Sequence, residues 1–127
     1  MIGLFTYYNP NPDGKNTSDC VIRALSKALN QTWDDTYTEV SYEGLVLHDM
    51  PDKNYVWSDV LKRHGFKKYV IPNTCPACYS VKQFCADNPV GTFVLCLDGH
   101  VVTCQNGNYF DTWDSGDGVP IYYWKKE

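Results

Sequence analysis

The chain has little with which to enter a membrane or grip a polyanion. None of its apolar runs approaches the roughly 18 residues that a bilayer-spanning helix requires. The segment from Met1 to Tyr8 lacks a basic stretch and a small-residue cleavage site, so no signal peptide and a cytoplasmic location are expected. Basic side chains cluster only as short pairs, Lys62-Arg63, Lys67-Lys68 and Lys125-Lys126, in a chain of formal net charge -4. A nucleic-acid footprint would show as a basic stripe, so neither nucleic acid nor membrane is expected as a partner. No repeat, low-complexity tract or linker interrupts the sequence.

Metal chemistry is short of ligands. Cys75-Pro76-Ala77-Cys78 and Cys85 are weak candidates, supplying three thiolates where a structural zinc takes four. His64 could join them only if the fold brought it close. A redox motif would place its C-x-x-C at a helix start after a strand, and the strand-like Tyr69-Val70-Ile71 keeps that option open. In a reducing compartment the six cysteines are expected to be free thiols. No metal and no cofactor are expected. Asp114-Ser115-Gly116-Asp117-Gly118 lacks the spacing and final glutamate of a calcium loop and reads as a turn.

What is present fits one domain over residues 1–127, with ten Tyr, four Trp and five Phe to fill a core or line a cleft. Residues 1–8 read as extended, and Asn9-Pro10-Asn11-Pro12-Asp13-Gly14 as a loop. Helices are predicted over about 19–29, from Thr32 to about 46, over about 54–64 and from Ser80 to about 86. A strand is predicted over 66–71, and an antiparallel meander of about four strands fills the last third. Helices first and strands last predict an α+β fold, with N-terminal helices packed on a C-terminal antiparallel β-sheet.

Two segments carry the chemistry. In the first, Thr17 or Ser18 can cap a helix in whose first turn Cys20 lies. Cys20, Ala24 and Ala28 recur at helical spacing beside Val21, Leu25 and Leu29. A helix N-terminus favours thiolate over thiol. The second segment is Gly91-Thr92-Phe93-Val94-Leu95-Cys96-Leu97, followed by the turn pair Asp98-Gly99 and the strand from His100 to Gln105. The pair Asn106-Gly107 then leads into Asn108 to Trp113. A two-residue turn there sets Gln105 opposite Asn108 and Val102 opposite Asp111. Asp111 becomes the diagonal neighbour of His100, roughly 7–8 Å away between backbones and within reach of an imidazole. Asp114 falls on the other face under strict alternation and is the fallback carboxylate. His48 and His64, near helix ends, are the competing bases.

The segments "DCVIRALSKALNQTWDDTY" and "GTFVLCLDGHVVTCQNGNYFDTWDSGD" together resemble papain-like cysteine peptidases. The chain is most similar to small members of the bacteriocin-leader-peptidase type in Gram-positive bacteria and their phages. The resemblance implies a papain-like fold in a bacterial or phage-infected cell, with Cys20 as nucleophile, His100 as general base and acid, and Asp111 as the orienting residue. The family usually carries an oxyanion-stabilising glutamine six residues before its nucleophile, where this chain has Gly14. Asn16 and Asn11 are nearby amides that could take that place.

The expected activity is hydrolysis of peptide or isopeptide bonds in a peptide or protein substrate, through a thioester on Cys20. Two alternatives use the same scaffold: acyl transfer to an amine, and a catalytically inactive binding module, such as a phage protein acting on a host factor. A small zinc or redox protein centred on Cys75 and Cys78 is the third.

Overall fold

A computed structural model describes residues 3–127. Met1 and Ile2, where the predicted extended segment begins, lie outside the described residues. The described chain is α+β. In chain order it runs β1 (Leu4–Tyr7), α1 (Cys20–Leu29), α2 (Trp33–Leu47), α3 (Asn54–Arg63), β2 (Phe66–Val70) and α4 (Val81–Asp87). It continues through β3 (Thr92–Leu97), β4 (His100–Gln105), β5 (Asn108–Asp111) and β6 (Tyr122–Lys126).

The strands form one six-stranded sheet in the order β1-β5-β4-β3-β6-β2. The expected antiparallel sheet is corrected here, because β1 lies parallel to β5, with Leu4 opposite Asn108 and Tyr7 opposite Asp111. Without β1, the outer backbone groups of β5 would be an unpaired edge. Only β3 to β5 form a meander. β6 returns to the far side of β3 and carries β2 on its outer edge. These pairings join segments distant in sequence, so no local pattern announces them.

The hairpins follow local chemistry. Asn106 and Gly107 both have positive φ, 51° and 82°, as a two-residue turn with right-handed strand twist requires. Gln105 is accordingly opposite Asn108. Thr32 caps α2 by accepting from the Asp35 N–H at 3.1 Å. Ser80 and Gln83 form a reciprocal capping box on α4. The first helix departs from expectation. Its N-cap position is Asp19, not Thr17 or Ser18, and no side chain caps it. The Asp19 carboxylate is engaged elsewhere.

Strand alternation divides the core in two. On one face Val94, Cys96, Val101 and Trp124 pack with Ala24 and Leu25 of α1 and Trp57, Val60 and Leu61 of α3. On the other, Phe93, Leu95, Val102 and Cys104 pack with Val81, Phe84 and Cys85 of α4. Thr103 is buried under α1 and donates to the Ala24 carbonyl at 2.6 Å, a polar tie that fixes the helix along β4. Trp57 and Trp124 each bury an indole N–H with no acceptor among the described residues. Each orphan donor costs about 1–3 kcal/mol, against the large apolar area its ring removes from water.

Candidate active site

The N-terminus of α1 meets the sheet rim where β3 ends, β4 begins and β5 ends. Cys20 is the first residue of α1, and His100 the first of β4. The Cys20 sulfur stands beside the His100 ring and near the Val101 backbone N–H, and both favour its thiolate. His100 Nε2 lies 2.6 Å from Asp111 Oδ2, which leaves Nδ1 as the ring nitrogen for the thiol. Cys20, His100 and Asp111, the three residues singled out in the sequence, are thus brought together in that order.

Asp111 is buried and accepts from four donors. Oδ2 takes His100 Nε2 and the Ser115 hydroxyl, at 2.6 and 2.7 Å. Oδ1 takes the Arg23 guanidinium and the Thr112 N–H, both at 2.9 Å. Burial opposes its ionisation, but the bonds from His100 and Ser115 outweigh that and hold its pKa below the ordinary value.

Arg23 is the residue that the sequence did not disclose. It is 4% exposed and bridges two carboxylates, Asp111 and Asp19, the latter at 2.5 Å through its other guanidinium nitrogen. The second Asp19 oxygen accepts the Trp33 indole N–H at 2.9 Å, which ties the start of α2 to the start of α1. In sequence, Asp19 and Arg23 are an ordinary i,i+4 pair of the kind found on solvated helices. The one signal was position, since Arg23 is three residues past Cys20 and so shares its side of the helix.

The electrostatics favour an ion pair. Burial pushes the Cys20 thiol up, but the His100 bond, the Val101 N–H and the nearby positive charges outweigh it and leave its pKa lowered. Burial pushes His100 down, while the Asp111 and Cys20 bonds win and raise it to about 9. The other free cysteines contrast with this. Burial raises Cys96 to about 12, and a bond with Cys104, followed by burial, raises Cys85.

Two recesses flank the sulfur. The larger, about 490 Å³, is walled by Tyr37 and Ser41 of α2, Pro51 and Asp52 of the following loop, and Leu97. The smaller, about 280 Å³, lies toward Asn16, Thr112 and Trp113. Trp113 is half exposed, its ring 4.9 Å from that of His100. It covers the imidazole on one side and limits the access of water to the His100–Asp111 bond.

The remaining candidates separate by position. Asn16 lines the smaller recess with Cys20 and His100. Asn11 does not line either recess, because its Oδ1 holds a turn through the N–H groups of Asp13 and Lys15, at 2.9 and 3.3 Å. Asp114 accepts from the Tyr109 hydroxyl at 2.5 Å and from the Gly116 N–H, so the fallback carboxylate serves the loop and not His100. The 114–118 segment is a turn, and its Gly116 and Gly118 carbonyls accept the first two N–H groups of α4. His48 ends α2 exposed, in the left-handed conformation. His64 is engaged with Glu39 at 2.9 Å. Neither histidine lines a recess beside Cys20.

The cysteine expectation needs one correction. Cys75 and Cys78 are joined in a disulfide, because the Pro76-Ala77 turn brings their Cα atoms to 4.2 Å. Both lie in the exposed loop before α4 and not at a helix start. Cys85 is fully buried under the sheet beside Cys104. The three thiols therefore do not share a site, and no cluster suited to a metal occurs among the described residues. Among those residues, no helix is long and apolar enough to cross a membrane.

Compared with known proteins, the chain matches no family model, no curated protein and no solved structure.

Proposed function

We propose that this protein is a cysteine-dependent hydrolase of papain-like arrangement, acting on peptide or isopeptide bonds in the cytoplasm of a bacterium or phage-infected cell. The observation that carries this reading is the relay Cys20–His100–Asp111, with the sulfur at a helix N-terminus and the carboxylate buried and fully bonded. A structural cysteine needs neither a basic partner nor a lowered pKa.

The Cys20 thiolate attacks the substrate carbonyl carbon, and negative charge develops on the carbonyl oxygen. The donors proposed for that oxyanion are the Cys20 backbone N–H, in the first helical turn, and the amide of Asn16, which lines the smaller recess with Cys20. The tetrahedral species collapses as the imidazolium at His100 gives its proton to the departing amine, leaving a thioester on Cys20. His100, now neutral, takes a proton from water, and the hydroxide attacks the thioester. The acid product leaves, and the thiolate–imidazolium pair is restored. Asp111 holds the ring in its working orientation and stabilises its positive charge, and Arg23 holds Asp111.

The test is the rate of iodoacetamide alkylation of each cysteine against pH, in wild type and in His100→Ala. Cys20 is expected to react at a pH below the ordinary thiol range while Cys85, Cys96 and Cys104 stay slow, and to lose that profile in His100→Ala. Ordinary thiol behaviour of Cys20 in both proteins would remove the hydrolase and acyl-transfer readings and leave an inactive binding module.

A further inference from the structure

Lys62 and Lys68, from two basic pairs that look scattered in the sequence, converge in space. A groove of about 720 Å³ runs between α3 and the outer strands of the sheet. Its floor is aromatic, made by Phe66, Tyr122 and Trp124, and its α3 wall presents Asn54, Ser58 and Lys62. Two cations stand over that floor: Lys68 Nζ is 4.2 Å from the Tyr122 ring centre and Lys62 Nζ is 6.0 Å from that of Trp124. Lys67 lies on the opposite face of β2, its Nζ 5.8 Å from the Tyr69 ring centre, and adds no charge here. The carboxylate close to them, Asp59, is 3.8 Å from Lys62 with both side chains exposed, a weak pairing that leaves the groove positive. In a protein of net charge -4 this concentration is local and opposite to the whole.

The groove is not separate from the candidate active site. Asn54 lines both it and the larger recess beside Cys20. Tyr122 on its floor is the cross-strand neighbour of Cys96, which lines that same recess. Cys20 and His100 border both recesses, so a substrate segment in the larger one stands at the sulfur and continues past Asn54 into the groove.

We infer that the substrate is a polypeptide with an acidic segment on one side of the scissile bond, held as an extended strand along the Lys62–Lys68 groove. Carboxylates meet the lysines, and apolar or aromatic side chains rest on the partly exposed Tyr122 ring. This inference rests on the hydrolase reading for the scissile bond, whereas the binding groove can be tested without it.

A fluorescein-labelled poly(Glu–Tyr) peptide is titrated into Cys20→Ala protein at about 0.15 M salt, with anisotropy as the readout. Saturable binding is expected, weakened about tenfold by Lys62→Glu with Lys68→Glu. A neutral poly(Gln–Tyr) peptide should not distinguish the two proteins. With Cys20 intact, the acidic peptide should slow iodoacetamide alkylation of Cys20, and the double variant should lose that protection. If the charge reversal does not fold, Lys62→Gln with Lys68→Gln serves the same comparison. Equal binding by the lysine variant overturns the inference, as does binding that leaves Cys20 unprotected. Full competition by a single-stranded oligonucleotide without protection of Cys20 also overturns it, in favour of a general polyanion surface. If Cys20 itself proves to be an ordinary thiol, the hydrolase reading fails while the anisotropy comparison still decides the groove.

Discussion

Asp111 shows how far single residues could be read from sequence. Counting outward from the Asn106-Gly107 turn found it, because a two-residue hairpin fixes register. The same counting could not reveal why the residue is a carboxylate and not an amide. All four of its hydrogen bonds are accepted ones, from His100, Ser115, Arg23 and Thr112. An asparagine turned either way sets its NH₂ group against donors. Asp111→Asn is therefore expected to destabilise the fold by about 3–5 kcal/mol, since Arg23 also loses a buried partner, as a urea titration would show. It should also lower the His100 pKa, because burial then acts with less to oppose it. For the proposed hydrolysis, the alkaline limit in wild type should lie near the His100 value of about 9, above which little imidazolium remains to protonate the amine. The raised pKa also links to stability. Its contribution is full below the ordinary histidine value of about 6.5 and is lost as pH rises through about 9. An unchanged alkaline limit in Asp111→Asn would mean that the carboxylate does not set the charge of His100. Arg23 and Asp19 were not legible because their partners come from β5 and α2, and no helical pattern records those distances.

Helices and hairpins were legible nearly to the residue, because caps, turns and apolar periods are local. What the elements do at the site depends on how closely they approach. Gly44 in α2 is an example. A Cβ there would stand 2.7 Å from the Asp49 carbonyl and 3.4 Å from the Pro51 nitrogen, both backbone atoms. The glycine lets the chain fold back tightly after α2, and that return brings Pro51 and Asp52 to the wall of the larger recess. In an unconstrained helix Gly→Ala would stabilise by about 1 kcal/mol. Here Gly44→Ala is expected to cost about 1–3 kcal/mol through overpacking and to displace the recess wall. Thermal unfolding, with alkylation of Cys20 by a bulky maleimide, measures both effects. A variant more stable than wild type would show that this return has slack.

At the scale of the molecule, the sheet order shows what the sequence withheld. The first strand in the chain is the last at the sheet edge, and its partner β5 is 104 residues away at Leu4 and Asn108. Parallel pairing over such a distance leaves no local signature, which is why an antiparallel sheet was the natural expectation. β1 also bears on the site. Tyr7 is opposite Asp111, and the Tyr8 N–H donates to the Asp111 carbonyl at 2.9 Å. Removing residues 1–7 should lower the melting temperature and move the Cys20 alkylation profile toward that of an ordinary thiol. A shortened protein with the wild-type profile would mean that Arg23 and Ser115 hold Asp111 without help from the sheet edge.

The indole of Trp113 lies against the His100 ring, whose charge changes with pH. A protonated imidazole quenches indole emission and a neutral one does so less. The protein thus contains its own optical indicator of His100, brightening as pH passes about 9. Trp33, Trp57 and Trp124 supply a background that Trp113→Phe would subtract. The charge state of the site can then be followed by its own light, with no substrate and no label.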